Sequence, residues 1–593
     1  TGTMHFQDEA GRTLILRGVN LADGKFPLGQ PTYHLDTLND TPGRGLPGED
    51  SNHKNNGVTT SSASSHPAAT TTDAHTHLAR LRYLGFNILR IPVVWEALEH
   101  AGPGVYDDAY IAYVRTLVEL CTAAPYHFRV VINPHQDLWS RLAGGSGAPL
   151  WTIHACGLDD RFFGETHACV RYAEWPPDEK DRARKDPKAI PPMMWTTNHN
   201  RLATMTIFAL FFAGRTIAPK CRLRYPREQT QLQLQQGDGV GGEDEAADEN
   251  IQDFLQRHYF AAYGRLMAAL GDLPFGYDSM NEPEPGYIGL KDLGTTERDT
   301  AKIGSNPTPI EGMRLGMGME QEVDEYRLGK TGPHKSSRMT IKPSRGCWLD
   351  KEDPRWEFVR APEWEMGQCV WALHGVWDSK TGGLLQKDYF HKEENDKEGR
   401  LSFLSSYWQE YNRKWQAVVR EHSKTAIAFI QPTVFSPPPP RDPVEKGQDR
   451  LIAYSPHYYD GLTVMHRHWH ERWNADVVGL LRGHHKTKVT GLRLGKDNVR
   501  KGIGAQLGVL ASDTPDIPTL IGEMGIPFNL DDGKAYRKAD SDGAGDYTDH
   551  VKALDAVLQG CDAHLLNYTI WAYSPINTHE WGDHWNGEDL SIY

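Results

Sequence analysis

Residues 276–287 read GYDSMNEPEPGY. A short, mostly apolar run stops at Asn281-Glu282-Pro283. This is the pattern of a buried strand that ends in an amide and a carboxylate, after which proline turns the chain away. A lone glutamate at a strand end carries little chemistry. The reading therefore depends on whether the chain supplies a second carboxylate in an equivalent place.

Seven other stretches share the pattern: residues 13–20 (TLILRGVN), 87–92 (NILRIP), 128–134 (FRVVINP), 426–432 (AIAFIQP), 451–458 (LIAYSPHY), 518–523 (PTLIGE) and 567–573 (NYTIWAY). Each is rich in β-branched or aromatic residues and bounded by turn signals. Helical patterns stand between them, at residues 75–84, 107–121, 251–270, 405–422 and 547–559. Eight strands alternating with helices predict an α/β fold, a (β/α)8 TIM barrel. The 593 residues exceed a bare barrel, and the excess falls in long loop insertions at 40–73, 229–250, 290–397 and 436–449. These are expected to be polar, irregular or mobile parts of a single domain spanning 1–593.

In such a barrel the carboxyl ends of all strands converge on one face. There the strands end with Arg90, with His135 and Asp137, with Asn281 and Glu282, with His457 and Tyr459, with Glu523 and with Trp571. Glu282 and Glu523 would thus share a pocket. Two carboxylates are the minimum equipment for glycoside hydrolysis, one protonated and one ionised. Partial burial and a neighbouring negative charge raise the pKa of the first. Hydrogen bonds from Arg90 or Tyr459 would keep the second ionised.

A net charge of −14 with mixed signs argues against a nucleic-acid partner and against broad attraction to anionic membranes. The seven cysteines are scattered with no C-x-x-C pair, which favours a reducing compartment over a disulfide framework. No signal-like segment and no apolar run of about 20 residues is visible, so the expected location is intracellular, cytoplasmic or vacuolar. Residues 465–473 (MHRHWHERW) invite a metal reading through His466, His468 and His470. No H-E-x-x-H accompanies them, and a solvent-facing or substrate-site cluster is expected instead, with no metal. Residues 204–214 (TMTIFALFFAG) are apolar all round. They read as a buried barrel helix, or as one wall of a slot for an apolar ligand. Met193, Met194 and Trp195 stand just before them, and Trp581 and Trp585 near the end of the chain would line the same opening.

The ordered set Arg90, His135, Asn281-Glu282-Pro283, His457, Tyr459, Glu523 and Trp571 resembles glycoside hydrolase family 5. The stretches LILRGVNL, PHQDLWSR, GGSGAPLWT and EWGDHWNGEDLSIY resemble its endoglycoceramidase-related branch, with the fungal sterylglucosidase and glucocerebrosidase proteins most alike. The resemblance runs from about residue 13 to the last residue. It implies a retaining β-glucosidase that frees glucose from a lipid, first of all a steryl β-glucoside. The alternatives are a glucosylceramide hydrolase or an endoglycoceramidase. A non-catalytic glycolipid-binding barrel would be expected to have lost one carboxylate.

Residue by residue, the resemblance implies Glu282 as acid/base and Glu523 as nucleophile. It puts Asn281 on the sugar 2-hydroxyl, and Lys25, His135 and Asp137 on the remaining hydroxyls. Trp571 would be the floor under the ring, with Tyr459 on the nucleophile, His457 supporting the acid/base and Arg90 setting the nucleophile's charge. Met194, Trp195, Trp581 and Trp585 would belong to the aglycone site. No cofactor is implied. The partner is the glycolipid, met in transient contact with a membrane surface. Related endoglycoceramidases continue into a β-sandwich, which needs roughly 100 residues, and only about twenty follow Trp571 here. That domain is expected to be absent, with a separate C-terminal fragment a candidate to complete the fold.

Overall fold

The computed structural model describes residues 4–22, 71–171, 193–225, 248–296, 302–329, 332–356, 358–391, 402–434, 436–441, 451–487, 489–542, 545–575, 577–579, 582–583 and 588–593. One sheet dominates it. Its strands are Arg17–Leu21, Ile88–Val94, Arg129–His135, Gly276–Asp278, Ile427–Ile430, a sixth in two pieces (Ile452–Tyr454 and His457–Tyr459), Leu520–Gly525 and Asn567–Tyr573. All neighbouring pairs are parallel. The sixth strand closes the ring by changing partner midway. Its first piece pairs with the fifth strand (Ala428↔Ile452) and its second with the seventh (His457↔Glu523). The change falls at Ser455-Pro456, where proline has no N–H to give to a ladder. The fold is the (β/α)8 barrel that the eight strand patterns predict.

Side chains alternate along a strand, so every second residue points into the barrel. The bottom of the lumen is an apolar layer of Leu16, Ile88, Val131, Ile427, Phe429, Ala453 and Leu520, against which Phe6 packs. Two residues further along the same strands the lumen turns polar. Ile88 is followed by Arg90, and Val131 by Asn133 and then His135. Ala453 is followed by Ser455, then His457 and Tyr459. In the seventh strand the register slips between Ile521 and Met524, which lets Glu523 face inward although Leu520 does too. At Gly522 there is no room for more. A Cβ there would lie 2.7 Å from Ser455 Oγ and 3.1 Å from His457 Nε2.

Helices wrap the barrel where the 3.6-residue patterns predict them, among them Asp108–Thr122, Ile251–Leu270, Gln409–His422 and Thr548–Ala563. Asp107 and Asn250 cap two of them by accepting from Tyr110 N and Gln252 N. The all-apolar run lies in the helix Leu202–Ile217, buried throughout except at Arg215 and Thr216. Phe208 and Phe211 meet Trp139 edge-on at 5.4 and 5.1 Å between centroids, and Trp139 meets Trp95 at 6.1 Å. Of its two sequence readings, this helix is the core element and not the wall of an open slot.

The insertion at 290–397 is more regular than the sequence suggests. It holds a helix, Pro309–Gly316, with a reciprocal cap between Thr308 and Glu311. It also holds an antiparallel sheet of Gly304–Ser305, Gln321–Gly329 and Gly332–Ile341. The sheet escapes sequence reading because both of its faces are charged and partly exposed, leaving no apolar alternation to detect. The insertions at 40–73 and 229–250 lie almost wholly outside the described residues.

Trp139 joins the helix Leu202–Ile217 to the loop that follows the third strand. Truncating a buried tryptophan typically costs about 3–5 kcal/mol. Trp139→Ala is expected to lower the urea unfolding midpoint accordingly, read by intrinsic fluorescence.

Candidate active site

Arg90 enters the lumen from the second strand, and its side chain is wholly buried. Its guanidinium reaches five partners. Nε donates to Asp278 Oδ2 at 2.6 Å, and Nη1 to Asn20 Oδ1 and Glu523 Oε1, both at 2.8 Å. Nη2 donates to Asn281 Oδ1 at 2.9 Å and, more weakly, to His457 Nε2 at 3.4 Å. Burial alone would pull the arginine pKa down. The charges of Asp278 and Glu523 outweigh it and raise the value. Breaking such a buried ion pair typically costs about 3–5 kcal/mol, because it leaves an uncompensated charge.

Above this layer stand the two glutamates. His457 Nδ1 lies 2.7 Å from Glu282 Oε1 and 3.4 Å from Glu523 Oε2. One ligating atom from each of the three residues lies within 4.8 Å of the other two. Tyr459 OH donates to Glu523 Oε2 at 3.1 Å. Because Nε2 of His457 faces an arginine donor, the ring carries its proton on Nδ1 and donates to Glu282. Burial lowers the His457 pKa to about 4, against the opposing pull of Glu523. Burial also raises the Glu282 carboxyl, against the cationic influence of His199, His135 and Arg90. Glu282 has a left-handed backbone with φ of +38°. The sharp turn into Pro283 aims its side chain back over the lumen.

His135 stacks on Trp571, with centroids 5.2 Å apart and planes 10° from parallel. Its Nδ1 meets Asn133 Oδ1 at 2.8 Å and its Nε2 meets Asp137 Oδ2 at 3.2 Å. Asn133 turns its amide nitrogen to Asp278 Oδ2 at 3.1 Å, so its oxygen accepts from His135. That leaves Nε2 as an acceptor for a protonated Asp137. The electrostatics point the same way: burial lowers His135 to about 4, and burial followed by the Glu282 charge raises Asp137 well above the ordinary range.

A site with two carboxyls side by side, one raised by burial and the other paired with a buried guanidinium, beside an aromatic ring, is equipped to cleave acetals. The comparisons agree with this chemistry. The family described as Cellulase (glycosyl hydrolase family 5) matches residues 50–157. A glucosylceramidase of Aspergillus fumigatus is 36% identical over 99% of this chain and 72% of its own length. The chain belongs to glycoside hydrolase family 5. An ergosteryl-beta-glucosidase of Saccharomyces cerevisiae is 34% identical over 88% of this chain and 67% of its own. The crystal structure of Cryptococcus neoformans sterylglucosidase 1 superposes with a TM-score of 0.85 at 40% identity, covering 100% of this chain and 78% of the other.

Against the expectations carried by the family 5 resemblance, the structure gathers Arg90, His135, Asp137, Asn281, Glu282, His457, Tyr459, Glu523 and Trp571 at the carboxyl end of the barrel. Lys25, Trp581 and Trp585 lie outside the described residues. Met194 is only 4% exposed and packs against Gly304. Trp195 is half-buried and donates from Nε1 to Glu588 Oε1 at 2.9 Å. Glu284, two residues past Glu282, pairs with His199 at 3.5 Å.

Sequence reading missed Asp278, Asn20 and Asn133, which build the ionic layer. Counting back by twos from the strand ends would have found Asn133. It also missed Gln136, whose Nε2 donates to the carbonyls of Asn281 and Glu282 at 2.7 and 3.0 Å and fixes the turn that carries them.

Among the described residues, Glu282, His457 and Glu523 are the one group whose ligating atoms converge as metal ligands do. A cation there would face the Arg90 guanidinium, already bound to Glu523, so the charge balance does not suit one. In the histidine-rich segment, His466 Nδ1 meets His470 Nε2 at 2.9 Å, and His468 Nδ1 meets Asp531 Oδ1 at 2.6 Å.

Imidazole nitrogen shifts are expected to show His135 and His457 still neutral at pH 5, with protonation only near pH 4. An unfolded histidine titrates at about 6.5. Each ring therefore withdraws stability as pH falls from about 6.5 towards 4, while the raised carboxyls Glu282 and Asp137 act in the opposite sense.

Proposed function

We propose that this chain is a retaining β-glucosidase that hydrolyses steryl β-glucosides, such as ergosteryl or cholesteryl glucoside, to glucose and free sterol. The observation that carries the retaining chemistry is the convergence of Glu282, His457 and Glu523 within 4.8 Å, and the likeness to Cryptococcus neoformans sterylglucosidase 1 supports the sterol. Retaining glycosidases hold their two carboxyl groups about 5–5.5 Å apart and inverting ones about 6.5–9.5 Å, the wider gap leaving room for a water. The spacing here favours direct attack.

Glu523, ionised and oriented by Arg90 and Tyr459, attacks the anomeric carbon. Glu282, kept protonated by burial, donates its proton to the glycosidic oxygen as the carbon–oxygen bond breaks, and the sterol leaves as the alcohol. A glucosyl ester on Glu523 remains. Glu282, now ionised, takes a proton from water, whose oxygen attacks the same carbon and frees Glu523. His457 donates to Glu282 Oε1, which leaves Oε2 to carry the transferred proton. Asn281, His135 and Asp137 fit the hydroxyls of a sugar lying on Trp571, and Lys25 remains an expectation from the resemblance.

A second reading, hydrolysis of glucosylceramide, is favoured by the name of the Aspergillus fumigatus relative. Glucose release from steryl glucoside and glucosylceramide, measured side by side, separates the two. The sterol reading expects the higher kcat/KM on steryl glucoside, and the reverse order replaces it. Glu523→Gln is expected to lower kcat by roughly 10³-fold or more on either lipid. A 2-deoxy-2-fluoroglucoside should leave its added mass on Glu523 in the wild-type protein. Glu282→Gln should slow the lipid substrates far more than an aryl glucoside whose leaving group needs no proton. Wild-type rates in Glu523→Gln would sink the mechanism.

A further inference from the structure

Trp195 and Glu588 meet across the barrel mouth. Trp195 lies in the short helix Met194–Asn200 of the long loop after the third strand, and Glu588 in the tail after the eighth, with the first and second strands between them. Each end of the pair leads, through one or two residues, towards the carboxylates. The Tyr459 phenol, raised by burial and by the charges of Glu523 and Glu282, also feels Glu588, and it is bonded to Glu523. On the other side the Trp195 ring lies 6.0 Å from that of His199, which pairs with Glu284 and acts by charge on Glu282.

Both ends are anchored. Beside Glu588, Asp589 accepts from Asn577 Nδ2 at 2.7 Å and meets His579 Nδ1 at 2.9 Å, while its carbonyl accepts from Phe528 N at 2.6 Å. Leu590 and Ile592 exchange backbone hydrogen bonds with Ala572 of the eighth strand.

The Trp195 turn is held by the insertion. Arg201, buried at its end, donates to His167 O at 3.1 Å and to Ser305 O at 2.6 Å, and His167 Nδ1 meets Ser305 Oγ at 2.8 Å. Gly304, with φ of +66°, lies against Met194, and a Cβ there would come within 3.2 Å of the methionine Cε. Burial draws the Arg201 pKa down to about 10, so this anchorage carries a desolvation cost.

We infer that the Trp195–Glu588 pair determines how many sugars the site accepts. Hydrogen-bonded across the mouth, it walls off the space beyond the first glucose, so a single glucose is taken and a disaccharide glycoside is refused. The insertion acts at one remove, positioning Trp195 through Gly304, Ser305 and Arg201. The inference rests on the glucosidase reading of the carboxylate pair and deepens it.

The test compares full-length wild type, Trp195→Ala and Glu588→Ala on p-nitrophenyl β-glucoside and p-nitrophenyl β-cellobioside, with release of intact cellobiose followed by chromatography. Wild type is expected to cleave the glucoside and refuse the cellobioside. Both variants are expected to raise the cellobioside-to-glucoside ratio of kcat/KM by about ten-fold or more, a change of the size that pocket contacts control. A general loosening of the fold would not move that ratio. An unchanged ratio in both variants overturns the inference, as does a wild type that releases cellobiose as readily as glucose. A shift only between steryl and aryl glucosides, with cellobioside still refused, also overturns it and assigns the pair to the aglycone. If Trp195→Ala does not fold, Glu588→Ala decides alone. A wild type inactive on both aryl glycosides and on steryl glucoside sinks the glucosidase reading instead.

Discussion

The site depends on a guanidinium buried where no water can reach it. Arg90 costs desolvation energy, and the barrel meets that cost with two carboxylates and two amide oxygens drawn from the first, fourth and seventh strands or strand ends. One cation facing Asp278 and Glu523 leaves a local excess of one negative charge. A third ionised carboxyl beside it is unfavourable, which adds to burial in raising the Glu282 carboxyl. The division of labour proposed for two chemically identical glutamates thus fits a charge count in the layer beneath them.

The same layer explains which parts of the site were legible in the sequence. Glu282, Glu523, His457 and Tyr459 stand where apolar runs end, and a polar residue closing such a run is a strong local signal. Asp278 and Asn133 stand inside their runs, where a polar residue looks like noise until the alternation of a closed barrel is imposed. Gln136 and Glu588 act across 145 and 393 residues of sequence, on Asn281 and Trp195 respectively, and no local pattern encodes such pairings. All eight strands were legible for the opposite reason, since β-branched runs bounded by turns report burial directly. The split in the sixth strand was visible only as a proline in its middle.

The insertion at 290–397 shows how added length is turned to use. It neither extends the barrel nor touches the glutamates within the described residues. Its sheet edge and helix pack against the long loop that follows the third strand, so the loop bearing Trp195 is stiffened from behind. Charged, two-sided strands suit this position, because their outer face meets solvent and their inner face needs only a few fixed contacts.

The left-handed backbone at Glu282 has a consequence of its own. A non-glycine residue in that region carries a cost of roughly 1–2 kcal/mol, and the protein bears it at the residue proposed as the proton donor. Glycine or asparagine would relax the turn and make the molecule more resistant to heat, while removing the proton donor. At this one position a search for robustness and a search for turnover would select different amino acids. A stabilised natural or laboratory variant that keeps glutamate there would have found its gain elsewhere in the barrel.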